Sequence, residues 1–196
     1  IQESLHVFID AGWRESIKQQ ESGKCLHILE MGFGTGLNAL LTLVEAEKSQ
    51  QAVHYTAIEL YPLEMKETES LNYCEQLGRK ELQPVFEQLH LSEWEKPVHI
   101  TDYFILEKRK ISLVDFSGTR LFDLVYFDAF APTAQPALWT KEIFDKLYSM
   151  LNSDGILVTY CSKSDVRRAM QAARLSTEKL AGPPGKREMV RARRSR

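Results

Sequence analysis

The side chains whose types and spacing point to chemistry are three carboxylates and a glycine turn: Glu30, Glu59 and Asp128, with Gly32, Gly34 and Gly36. The glycines directly follow an apolar run at 25–29 and precede a periodic one at 37–44, which describes a strand turning sharply into a helix. Lacking Cβ, they permit positive φ and let the backbone approach a ligand, while the new helix leaves N–H groups unpaired. A dinucleotide fingerprint has its third glycine one place later, a place held here by Leu37. Glu30, at the end of the first strand, would repel a pyrophosphate and welcome a ligand's ammonium, directly or through water. A second apolar run, 53–58, ends in Glu59, 23 residues after Gly36, which suits a strand-tip carboxylate accepting both hydroxyls of a ribose. Together these residues describe a site for a zwitterionic nucleoside, S-adenosylmethionine.

A third apolar run, 121–127, delivers Asp128, followed by Ala129, Phe130, Ala131 and Pro132. In an open parallel sheet, ligands bind beyond the carboxyl ends of the strands, so Asp128 is placed beside the cofactor. Such a loop suits methylation of an amine carried on a base. The carboxylate takes the N–H donors, the ring stacks on a planar substrate, and the proline stiffens the loop. The structural alternative puts Phe130 in the core and makes Asp128 a helix cap. An alkylammonium has no lone pair, so the site must favour the neutral amine during reaction, with Asp128 the nearest proton acceptor.

These groups need a scaffold, and the chain alternates in the manner of one. Its 196 residues suffice for a single domain, 1–196, that buries most of its apolar surface. The pattern predicts a helix over 62–73 ended near Gly78, and another over 81–94 stopped by Pro97. Short β pieces are predicted at 98–100, 103–106 and 111–114, with a helix at 139–151 and a turn at Asp154-Gly155. A buried strand at 156–160, a helix capped by Ser164, and a hairpin around 181–185 complete the reading. Alternation of this kind describes an α/β fold with a mostly parallel sheet closed by an antiparallel hairpin.

Composition restricts the setting. Cys25, Cys74 and Cys161 are odd in number and far apart, which reads as reduced core cysteines in the cytoplasm and not as a metal or disulfide set. No run approaches the ~18–20 apolar residues of a membrane span, and the five histidines lack ligand spacing, so neither membrane nor metal is expected. The chain starts at Ile1, which suggests a missing N-terminal piece. Residues 163–196 carry net +8 against −10 for 1–162, a basic end that suits nucleic-acid phosphates; the bland alternative, strongest for 191–196, is a solvated tail. Trp13, Trp94 and Trp139 read as anchors, Met65, Met150 and Met170 as core filling, and Tyr160 and Ser162 as the substrate entrance.

Six segments then carry a resemblance: 4–9, Glu30 through Asn38, 59–63, 127–132 with Trp139, 159–162 with Val166, Arg167 and Arg168, and 182–189. In this order they resemble the methyltransferase domain of the tRNA 5-methylaminomethyl-2-thiouridine biosynthesis protein family, over nearly the whole chain. The resemblance implies a Rossmann-like class I S-adenosylmethionine-dependent methyltransferase fold. It implies methyl transfer to the primary amine of 5-aminomethyl(-2-thio)uridine at the tRNA wobble position, with a separate oxidase or upstream tRNA-modification enzymes as further partners. At this length the chain would be a form without the flavin-dependent oxidase half. Glu30, Gly32, Phe33, Gly34, Gly36, Asn38 and Glu59 would hold the cofactor, and Asp128 would be catalytic. Phe130, Pro132 and Tyr160 would meet the base, and Lys163, Arg167, Arg168, Lys186 and Arg187 the anticodon-stem phosphates. Relatives often show Gly-Asp before the third run; here the adenine contact falls either to Asp115, from a shifted place, or to Ser112. Without the basic end, the same residues fit an S-adenosylmethionine-dependent methyltransferase or aminopropyltransferase-like enzyme acting on a small-molecule amine. A nicotinamide oxidoreductase and a non-enzymatic RNA-binding module fit them less well.

Overall fold

A computed structural model of the chain describes residues 1–18 and 23–195. Eight strands, β1 (Leu26–Met31), β2 (Val53–Ile58), β3 (Pro97–His99), β4 (Phe104–Arg109), β5 (Phe122–Phe127), β6 (Leu151–Thr159), β7 (Leu175–Ala181) and β8 (Glu188–Arg194), form one sheet. Their order is β3-β4-β2-β1-β5-β6-β8-β7. The five strands from β4 to β6 run parallel, and β3, β8 and β7 pair antiparallel with their neighbours. The expected parallel sheet with a C-terminal hairpin is the one observed.

Both faces of the central strands are covered, which is why β2 and β5 read as nearly unbroken apolar runs instead of alternating. Leu26, Ile28, Tyr55, Phe104 and Tyr126 face a layer containing the Leu37–Ser49 and Gln83–Leu91 helices. On the other face Leu29, Val125, Phe127 and Leu157 meet the Lys141–Met150 and Ser164–Ala172 helices. The chain builds β2 and β4 on one side of β1, then crosses to β5 on the other. That reversal leaves a crevice beyond the ends of β1 and β5, where Glu30 stands beside Tyr126 and Met31 beside Phe127.

The N-terminal segment is a helix of unusual winding: a π-helical stretch, Leu5–Trp13, between short α turns Gln2–Ser4 and Arg14–Ile17. Val7, Phe8, Ile9 and Trp13 are buried against the sheet. Gly12 permits that approach, since a Cβ there would stand 3.0 Å from Val158 Cγ2 and 3.2 Å from Tyr126 Cε1.

Several sequence-based boundaries are corrected. The helix expected over 62–73 is two short pieces, Met65–Thr68 and Tyr73–Gln76. Glu64 and Glu67 form a reciprocal capping box that starts the first at Met65, three residues after Pro62, and Met65 is exposed instead of filling the core. The next helix stops at Leu91, because Trp94 is drawn into a bridge with Lys108. Residues 111–114 form turns, and β4 instead runs on through Glu107, Lys108 and Arg109. Strand β6 starts at Leu151, carrying Asp154 at φ 65 as an irregularity within it. Lys163, not Ser164, is the N-cap of its helix. Finally, 191–194 is no solvated tail: it is the end of β8, with Ala192 fully buried and Arg191 paired to Glu178 at 2.8 Å. Arg196 lies outside the described residues.

Because β8 is hydrogen-bonded on both sides, truncation after Val190 is expected to abolish folding or lower the melting temperature by more than about 10 °C. A truncated chain melting within about 2 °C of the full chain in a calorimeter would contradict this placement.

Candidate active site

The glycine turn adopts the backbone its composition anticipates, with φ of 88° at Gly32, 49° at Gly34 and 73° at Gly36. It carries the chain from β1 into the helix that opens at Leu37. Asn38, in the first turn of that helix, reaches back over the strand ends. Its Nδ2 donates to Glu30 Oε1 at 2.9 Å and to Asp128 Oδ2 at 3.0 Å, so one amide joins the tip of β1 to the tip of β5. Glu30 is 1% exposed. Burial pushes its carboxyl well above the usual carboxylate range; the Asn38 donor opposes the shift and the Asp128 charge adds to it. Glu30 Oε2 and Asn38 Oδ1 are buried with no hydrogen-bond partner. The buried Tyr55 hydroxyl lies against Glu30 as its other nearby donor, and the Asn38 Oδ1 acceptor beside the carboxyl fits a ligand that brings N–H donors, as the amino-acid end of S-adenosylmethionine does.

Glu59, just beyond β2, accepts from Gly34 N at 3.1 Å and from Tyr61 N at 2.9 Å. The second acid is thereby fastened to the glycine turn, with one backbone donor on each oxygen and lone pairs remaining for hydroxyls. Phe33 is buried, its ring 5.4 Å from that of His90, so it offers a ligand backbone and not its side chain. Ser112 and Asp115 form a single turn, Ser112 Oγ donating to Asp115 Oδ2 at 2.6 Å. The two adenine candidates thus stand together beyond β4.

The loop after Asp128 is held by two donors. Trp139 Nε1 donates to the Phe130 carbonyl at 2.9 Å and Tyr160 Oη to the Ala129 carbonyl at 2.8 Å. Phe130 itself is 73% exposed, so the core alternative does not hold for it, and Pro132 is half-buried. Asp128 makes its hydrogen bond to Asn38 instead of capping a helix. Desolvation raises its carboxyl to about 6, countered by the Asn38 donor, with Glu3 raising it further and Lys186 opposing. Lys186 Nζ sits 4.3 Å over the Tyr160 ring and 2.5 Å from Glu3 Oε1. Of the basic candidates, Lys186 stands at this mouth, while Lys163 is the N-cap of the Ser164–Ala172 helix that carries Arg167. Arg168 is exposed on the same helix as Arg167.

Sequence reading missed the support behind the turn. His90 Nε2 lies 3.2 Å from the Thr35 carbonyl oxygen, Tyr73 Oη donates to Thr35 Oγ1 at 2.9 Å, and Lys108 is buried behind Phe33. Strict alternation in β4, where Phe104, Leu106 and Lys108 point inward, was the signal available for the lysine.

Residues 64–195 match a family model described as S-adenosyl-L-methionine-dependent methyltransferase. Among solved structures, MNMC2 from Aquifex aeolicus superposes with TM-score 0.74 at 21% identity, over 98% of this chain and 60% of that one. The N-methyltransferase NodS from Bradyrhizobium japonicum WM9 gives 0.53 at 14%, covering 93% and 94%. CalS10, an amino pentose methyltransferase from Micromonospora echinaspora solved with S-adenosylmethionine bound, gives 0.54 at 12%, covering 95% and 91%. At these identities the structural likeness establishes the fold. The chain spans 60% of the length of MNMC2. Among the described residues no helix is long and apolar enough to cross a membrane, and no group of three or more His, Cys, Asp or Glu is arranged to hold a metal ion.

The raised carboxyl of Asp128 carries a stability consequence. Its folded pKa of about 6 exceeds the ordinary value of 3.8, so the folded state binds more protons in that interval and stability falls as pH rises through it. Asp128→Asn is therefore expected to stabilise the ligand-free protein by about 1–2 kcal/mol at pH 7.5, a gain lost towards pH 4. Urea unfolding at both pH values checks this; a variant less stable than the parent at pH 7.5 would count against the buried charge.

Proposed function

The chain belongs to the S-adenosyl-L-methionine-dependent methyltransferase family whose model it matches, and we propose that its acceptor is the aminomethyl nitrogen of a modified wobble uridine in tRNA. On this reading residues 1–196 act as one cytoplasmic methyltransferase domain, converting 5-aminomethyl(-2-thio)uridine to its methylaminomethyl form. The observation that carries it is the Asn38 amide shared by Glu30 and Asp128, because it sets the cofactor's acid and the acceptor's acid side by side. The exposed Phe130 near Asp128, Lys186 over the Tyr160 ring, the net positive charge of residues 163–196 and the six segments resembling the wobble-uridine family favour a nucleic-acid acceptor.

When bound, the cofactor supplies an electrophilic methyl group on a sulfonium. Glu30, Asn38, Glu59 and the backbone of the glycine turn would hold it, and the turn formed by Ser112 and Asp115 would supply the adenine contact. Asp128 binds the acceptor amine through its N–H groups. With its carboxyl poised at about 6, it is mostly ionised at neutral pH and available to receive a proton from the ammonium form. Asn38 fixes the carboxylate's orientation through its donor on Oδ2, so that Oδ1 would be the oxygen offered to the amine. Phe130 offers its ring to the base, and Tyr160, held to the Ala129 carbonyl, keeps the loop from collapsing onto Asp128. Lys163, Arg167, Arg168, Lys186 and Arg187 take backbone phosphates, with Lys186 exchanging Glu3 for a phosphate oxygen.

Incubation with labelled S-adenosylmethionine and undermodified tRNA, followed by nucleoside identification, tests the assignment directly. Asp128→Ala is expected to lower kcat by about 10²–10⁴-fold while leaving binding of S-adenosylhomocysteine largely intact; near-normal turnover would remove Asp128 from the catalytic role. Binding to an anticodon stem-loop should weaken steeply with salt, and neutralising Arg167 or Arg187 should lower the log–log salt slope by about 1 each. Salt-independent turnover of a small amine, with no tRNA product, would favour the small-molecule alternative.

A further inference from the structure

Lys108 is a buried cation that takes no part in the chemistry above. It is 1% exposed, on a strand whose alternate residues Phe104 and Leu106 fill the core. Its Nζ donates at 2.6 Å to the carbonyl of His90, in the last turn of the Gln83–Leu91 helix, and stands 4.8 Å over the Trp94 ring and 5.4 Å over the Phe33 ring. A helix-end carbonyl and two aromatic faces thus take the place of a carboxylate partner. From there contacts lead to the glycine turn. His90 Nε2 is 3.2 Å from the Thr35 carbonyl oxygen, its ring meets Phe33 at 5.4 Å, and a Cβ on Gly36 would lie 3.1 Å from that same nitrogen.

We infer that Lys108 is a positioning residue for the cofactor: its ammonium holds His90 and Phe33 in place, so that the Gly32–Gly36 turn keeps the shape that binds S-adenosylmethionine. The inference rests on the assignment of that turn to the cofactor. The ionisable group facing the ammonium is His90, whose imidazole is kept neutral by burial and by the lysine's charge. The acids flanking Trp94 are engaged elsewhere, Glu93 with Lys96 and Glu95 with Arg109; Glu107, next along β4, pairs with His54 and Arg109. Burial draws the Lys108 ammonium down to about 8, within reach of a mild alkaline titration. Linkage then makes a requirement. If the charged form shapes the turn, the cofactor binds it more tightly than the neutral form and must raise the lysine's midpoint by the same factor.

The test is tryptophan emission of the full chain from pH 7 to 10, with and without saturating S-adenosylhomocysteine. The free protein should show a transition near 8, absent from Trp94→Phe and from Lys108→Met, and the probe should move it up by about one unit, equivalent to about tenfold weaker binding to the neutral form. In turnover, Lys108→Met should raise the cofactor KM about tenfold with kcat little changed, and Lys108→Arg should recover part of the loss. No transition in the wild type, a midpoint indifferent to bound probe, or Lys108→Met binding within about twofold of wild type would each overturn the inference. Should Lys108→Met not fold, the wild-type titration decides by itself. A wild type that binds no probe overturns the assignment of the turn and this inference with it, whereas binding with an unmoved midpoint overturns this inference alone.

Discussion

Two carboxyls are gathered in a nearly dry crevice, and a single amide makes the arrangement tenable. Asn38 gives one hydrogen to Glu30 and one to Asp128, so the two acids at the ends of β1 and β5 share a donor where burial and each other's charge disfavour ionisation. The donor depends on the helix beginning at Leu37, the helix depends on three alternate glycines with positive φ, and the glycines depend on β1 ending where it does. Satisfaction is deliberately incomplete. The Asn38 Oδ1 acceptor is buried without a partner and Glu30 Oε2 has only the Tyr55 hydroxyl near it, so an N–H-bearing ligand would complete the hydrogen bonding.

The parts of this arrangement legible in the sequence were those governed by local rules. An apolar run, a glycine turn and an amphipathic helix announce themselves within twenty residues, and β1, β2 and β5 appear where their runs placed them, delivering Glu30, Glu59 and Asp128 to neighbouring strand ends. What escaped depended on partners distant in the chain. Lys108 lay beyond the β piece expected at 103–106, and its burial follows only once β4 is set beside β2 and Trp94 folds across it. Arg191–Arg194 reads as a tail because its apolar content is slight, yet Ala192 fits between β6 and β7 and the arginines find Glu15, Glu178 and backbone carbonyls. The bridging role of Asn38 was also invisible, since its residue type suggests a ligand contact and only the adjacency of β1 and β5 makes it a link between acids.

The supports form two tiers behind one site. Nearest the ligand position are backbone amides and carboxyls; behind them lie aromatic rings, with His90 and Phe33 under the glycine turn and Trp139 and Tyr160 under the Asp128 loop. Rings suit the second tier because they resist compression, and Trp139 Nε1 and Tyr160 Oη add one donor each to the loop. The loop that presents Phe130 to solvent is therefore fixed at its carbonyls while its side chain stays free.

The place of β8 has a consequence for how the molecule is born. This strand follows the other seven in chain order but lies inside the sheet, between β6 and β7, and the N-terminal helix rests partly upon it, Arg191 donating to the Ala11 carbonyl at 3.4 Å across 180 residues. Val7, Phe8 and Trp13 precede β8 in the chain, so during synthesis these buried side chains emerge well before the strand that completes their seat, and they need shielding until it has been made.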